Sequence, residues 1–151
     1  MSATDDQQQF DELLHRLDAA NAARAVRVLL LGAVSCVLGA GVALLLDWQT
    51  DEHESGVTTR TGYDAAPALV PVVGVIAVVL LVIAYRYVTV PTWSGWATAA
   101  SGIATLGCLG ALHAGAGDGT LGGPAGWLAL AGFAAATGMA GLAAFQASRR
   151  H

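Results

Sequence analysis

The sequence predicts an all-α integral membrane protein, a four-transmembrane-helix bundle with an N-terminal cytoplasmic amphipathic helix. Three observations carry this. Of the 151 residues, 55% are hydrophobic and 12% charged, about half the charge of an ordinary soluble domain, and mean hydropathy is +0.58. Four charge-free apolar runs, each near the length that crosses a bilayer, are separated by short polar segments. Six of the seven arginines fall on one side of a four-span layout, and there is no lysine.

The first element is an arm over residues 1–25. Phe10, Leu13, Leu14 and Leu17 recur at i, i+3, i+4 and i+7, the spacing of one apolar helix face. Thr4 or Asp5 can cap it, and Glu12 and Arg16 make a favourable i,i+4 pair. Helices that lie on anionic lipid are basic, whereas this arm carries Asp5, Asp6, Asp11, Glu12 and Asp18 against Arg16 and Arg24. Its stripe is therefore expected against protein: the bundle's own cytoplasmic end, a second copy, or a separate partner.

The transmembrane domain is expected over residues 26–146, with a short tail at 147–151. Between Arg27 and Asp47 lie 19 uncharged residues, roughly 28 Å of helix against a hydrocarbon core of about 30 Å, which sets the first span at 27–46. A cleaved signal peptide fits less well, because the preceding segment is long and acidic and no A-x-A follows. The second span, 65–85, opens with Pro67 and Pro71, near the helix start where a missing N–H costs least. The third, 93–113, is diluted by Thr, Ser and Gly and needs protein neighbours. The fourth, 124–145, opens at Pro124 after two glycines and closes before SRRH.

With both termini inside the cell membrane, Arg16, Arg24, Arg27, Arg86, Arg149 and Arg150 are cytoplasmic and Arg60 alone is external. Trp48, Tyr63, Tyr85, Tyr87, Trp93, Trp96 and Trp127 then fall near the two interfaces, where amphipathic rings are best placed.

Residues 47–64 and 114–123 become external loops. Asp47, Asp51, Glu52 and Glu54 with His53 read as a solvated acidic exit from the membrane, since unpaired carboxylates in hydrocarbon cost several kcal/mol each. A metal site would need His53 and Glu54 to meet His113 and Asp118 from the other external loop. GVTTRTGY, 56–63, is β-branched enough for a short extended piece, which requires a pairing partner.

No Asp, Glu, Lys or Arg lies inside any of the four runs. That excludes an exporter built on a membrane-embedded Glu. A second intramembrane histidine for b-type haem is also missing. No Cys pair serves a quinone-linked disulfide generator or a claudin-type loop, and Cys36 and Cys108 read as small apolar residues. P-loop, HExxH and GxSxG motifs are absent. Net charge −4 with no basic patch argues against nucleic acid. No cofactor is implied.

The spans carry small residues at four-residue spacing instead: Ser35, Gly39 and Ala43; Ala100 and Ala104; Gly132, Ala136 and Ala140. Such faces let helix backbones approach where lipid removes the hydrophobic contribution. Packing within the bundle is the favoured use, and docking onto another membrane protein the alternative.

Trp48 after the first span, TTRTGYDAAPALVPVVGV at 58–75 and GPAGW at 123–127 resemble the actinobacterial tryptophan-operon-associated four-span membrane proteins. That family has no assigned activity, so the resemblance implies a four-span layout and carries over no functional residue. The expected function is a non-catalytic accessory or scaffold subunit of a membrane complex, in contact with the bilayer and with another membrane protein or itself. The alternative is a small oligomeric transporter or channel subunit, with Ser101 and Thr105 lining a path.

Overall fold

The structure is a computed structural model and describes residues 3–53, 56–62, 68–88, 90–117 and 121–149. Its body is four helices: α1 (Ala3–Ala43), α2 (Leu69–Arg86), α3 (Pro91–Gly117) and α4 (Pro124–Ser148). All four are long and apolar enough to cross a membrane. Between α1 and α2 run strands β1 (Asp47–His53) and β2 (Gly56–Thr61), and β3 (Leu121–Gly122) precedes α4.

The arm and the first span are one unbroken helix of 41 residues. The composition explains the continuity: no glycine or proline occurs from Ala3 to Leu31, and Ala19, Ala20, Ala22, Ala23 and Ala25, the best helix formers, fill the junction. The helix ends at Ala43 rather than at 46. Leu45 and Leu46 donate their N–H groups three residues back, to Val42 and Ala43, the tightened turn that commonly closes a helix.

Helix starts follow proline chemistry. Pro71 sits in the first turn of α2, Pro91 opens α3, and Pro124 opens α4 behind an extended Gly123. The link from α2 to α3 is short: Tyr87 donates to Ile83 O at 2.9 Å and Val90 to Tyr87 O at 2.9 Å.

The helices form a closed ring of neighbours, α1–α2–α3–α4 and back to α1. Adjacent pairs run antiparallel. Gly32 meets Met139 while Gly132 meets Cys36 and Ala40, and Thr98 meets Gly141 while Gly102 meets Thr137. Phe133 of α4, 1% exposed, is the largest fully buried side chain. Gly74 of α2 leaves room for its ring, and a methyl there would lie 3.4 Å from Phe133 Cζ.

Two close approaches set the helix spacing. A Cβ at Gly132 would lie 2.9 Å from the Cys36 carbonyl oxygen and 3.0 Å from Ala40 Cβ, so α4 meets α1 almost backbone to backbone. A Cβ at Gly107 would lie 2.6 Å from Val70 Cγ2, which fixes α3 against α2. Around these points the core is mostly alanine, including Ala33, Ala40, Ala104, Ala129, Ala136 and Ala140.

The segments expected as loops carry a sheet, which is added to the helical body. β1 and β2 are antiparallel, with Thr50 opposite Thr59 and His53 opposite Gly56. The register shifts between Asp47 and Gln49, at Trp48. β3 joins the free edge of β1 through Gln49–Gly122 and Thr50–Leu121, giving the order β2-β1-β3. Strand 56–61 thus finds its partner in the acidic segment, a pairing between residues that local composition does not reveal. The Gly62 N–H bonds to Leu46 O at 3.2 Å and ties the hairpin base to the end of α1.

Gly132→Val drives a branched side chain into the Cys36 carbonyl, and overpacking of this kind costs about 1–3 kcal/mol. Thermal unfolding in detergent should register that loss. Gly138→Ala, at a position in α4 with nothing within 4 Å, should hold or raise the midpoint, since the site admits the methyl and alanine is the better helix former.

Candidate functional site

Among the described residues the interior offers hydroxyls and one buried thiol, Cys108, and no buried acidic or basic side chain. Ser94, Thr98, Ser101 and Thr105 follow one face of α3, and Thr137 faces them from α4. Four of the five hydroxyls turn back onto their own helix: Ser94 to Pro91 O, Thr98 to Ser94 O, Thr105 to Ser101 O and Thr137 to Phe133 O, each at 2.8 Å. Thr105 and Thr137 also meet across the seam at 3.4 Å. Ser101 is fully buried, and among the described residues its Oγ is the buried side-chain oxygen without a hydrogen-bond partner. Ser101 and Thr105 therefore sit in a packed helix–helix contact.

The small-residue positions divide. Ala43, Ala100, Ala104, Ala136 and Ala140 are buried, and Gly132 is the close approach described above. Ser35 and Gly39 face away from the bundle. Gly39 has nothing within 4 Å of where a Cβ would stand, and the Ser35 hydroxyl bonds to Leu31 O at 3.1 Å.

Of the four residues weighed as metal ligands, the structure describes His53 and His113. His113 is exposed near the end of α3. His53 closes β1 opposite Gly56. Glu54 and Asp118 lie outside the described residues. Among those described, no group of three His, Cys, Asp or Glu is placed to hold a metal ion. Cys36 is half-buried, Cys108 buried, and both are free thiols.

The surface is more informative. Phe10, Leu13, Leu14 and Leu17 are exposed, at 61%, 59%, 45% and 59%, on the part of α1 that extends past the bundle. Arg16 and Glu12 pair at 2.6 Å on that same stretch, both well exposed, an interaction worth at most about 1 kcal/mol. Four large apolar side chains on one exposed helix face are the residues here with unused binding capacity. A second apolar feature is a groove of about 280 Å³ between α1 and α2. Leu38, Val42, Pro71 and Val75 form its sides, and Gly74 and Phe133 its floor.

Comparison with known proteins adds no neighbour: no protein-family model, no curated protein and no solved structure matches the chain. The reading therefore rests on this chain's own residues.

Ser101→Ala tests the hydroxyl layer. A buried hydroxyl without a partner carries a desolvation cost of about 1–3 kcal/mol, so its removal should hold or raise the unfolding midpoint. A drop of more than about 1 kcal/mol would instead reveal a hydrogen-bond partner for Ser101.

Proposed function

We propose that this is a non-catalytic, multi-pass protein of the cell membrane that serves as an accessory or scaffold subunit of a membrane complex. The observation that carries the proposal is the exposed apolar face at Phe10, Leu13, Leu14 and Leu17, projecting from a bundle in which no acidic or basic side chain is buried among the described residues. A protein with binding surface outside and no embedded chemistry inside is suited to holding other components.

Orientation supports the same reading. Six arginines against one favour cytoplasmic termini, and on that layout the N-terminal part of α1 stands in the cytoplasm and the β1–β2–β3 sheet on the outer face. The stretch before Arg27 is then a cytoplasmic amphipathic helix that runs directly into the first span. Resemblance to the tryptophan-operon-associated four-span family agrees with this layout and supplies no mechanism. The oligomeric transporter reading would draw on the Ser94–Thr105 face. Its hydroxyls are bonded within the helix or buried, which supports structural use of them.

The test is a mild-detergent purification of the C-terminally tagged protein with and without residues 1–20. The full chain should bring down a stoichiometric membrane partner, and the truncated chain should lose it while its helical circular dichroism persists. An unchanged partner set would sink the scaffold reading. Substrate flux from liposomes holding the purified protein alone would move the assignment to transport.

A further inference from the structure

The outward face of α1 repeats in sevens along its whole length. Leu14, Asn21, Val28, Ser35 and Val42 fall at one heptad position, and Phe10, Leu17, Leu31, Leu38 and Leu45 at the other core position, with Arg24 between them. All are exposed. The buried face repeats in sevens as well, through Val26, Ala33 and Ala40 and through Leu30, Val37 and Leu44. A strict seven-residue repeat imposes a left-handed supercoil, so packing against the bundle holds the outward seam in phase. Lipid accounts for exposed leucine and valine from Val28 onward. It does not account for Phe10, Leu14 and Leu17 in line with them on the water side.

We infer that this seam is the contact surface for a second copy of the chain, α1 against α1, parallel and in register. The inference rests on the membrane reading above, since insertion gives every copy the same orientation. Sustained heptads of this length are the mark of a coiled coil. Valine stands at two of the five first positions, Val28 and Val42, and leucine at four of the six second positions, and β-branched residues at the first with leucine at the second favour two strands. In register, Asn21 faces Asn21 and Ser35 faces Ser35, so the polar members meet groups that satisfy them. A polar residue at such a position selects register and two-strand pairing. Arg24 is the seam position that resists pairing, and its length lets the guanidinium leave the contact while the stem stays.

Size agrees. Phe10 to Leu45 spans about 50 Å of helix, and a strip about 10 Å wide gives roughly 500 Å² per copy and about 1,000 Å² in all, the threshold for a specific interface. A different occupant would need an apolar face crossing the water–lipid boundary at this same level. The chain's own α1 meets that requirement residue for residue.

The experiment is oxidative cross-linking in native membranes, with two differently tagged copies in a Cys36→Ala, Cys108→Ala background. Leu14→Cys and Leu38→Cys, on the seam, should each give a mixed-tag dimer. Glu12→Cys, on the far side of the same helix, and Val79→Cys, exposed on α2, should not. Leu17→Asp should lower the Leu14→Cys dimer at least tenfold. Equal cross-linking at all four sites, none at the seam sites, or an adduct holding only another polypeptide would overturn the inference. With the protein still in the membrane fraction, such results leave the scaffold proposal standing. A chain released from membranes by carbonate would overturn both.

Discussion

The bundle depends on how closely α4 approaches α1. At Gly132 the two backbones meet over Cys36 and Ala40 with no room for a methyl group. Apolar burial of the kind that drives helices together in water is weak between helices surrounded by lipid tails. Association there comes from dispersion and from the contact area that small residues allow. With α1 and α4 that close, Phe133 is directed inward beneath Gly74, and the alanines on either side complete the layer. Gly107 against Val70 does the same for α3 and α2. The α1–α2 seam lacks such an approach, and there the apolar groove opens.

Hydroxyls take a subordinate part in that arrangement. Each threonine and serine that bonds back to its own helix lowers the cost of sitting among alanines without demanding a partner across the seam. The α3–α4 contact can therefore stay narrow, with one 3.4 Å approach between Thr105 and Thr137.

α1 belongs to two environments at once. One side of it follows the bundle, and the opposite side carries an exposed, mostly apolar line from Phe10 to Val42, interrupted by Asn21, Arg24 and Ser35. Because no helix breaker interrupts it before Gly32, whatever engages its N-terminal half is mechanically continuous with the helical bundle. At the other end, the hydrogen bond from Gly62 to Leu46 joins α1 to the small sheet, so the same helix links both ends of the protein.

The sequence by itself determined four helices long and apolar enough to cross a membrane. Those properties are local: run length, a 3.6-residue period and the placement of prolines read directly along the chain. Continuity of the arm with the first span was also implicit in the absence of glycine and proline, although charge made the two look separate. Tertiary structure decided which small residues are used, because a stripe on a helix does not say which neighbour it meets. Ala43, Ala136 and Ala140 are buried, while Ser35 and Gly39 face outward. It decided the sheet as well. Strand 56–61 needed an edge, and that edge lies in an acidic segment with little β propensity, with β3 arriving from some 60 residues further along the chain. The β1–β2 hairpin is local, but the β1–β3 pairing is set by where the helix ends bring distant backbones together, and no short window of sequence contains it.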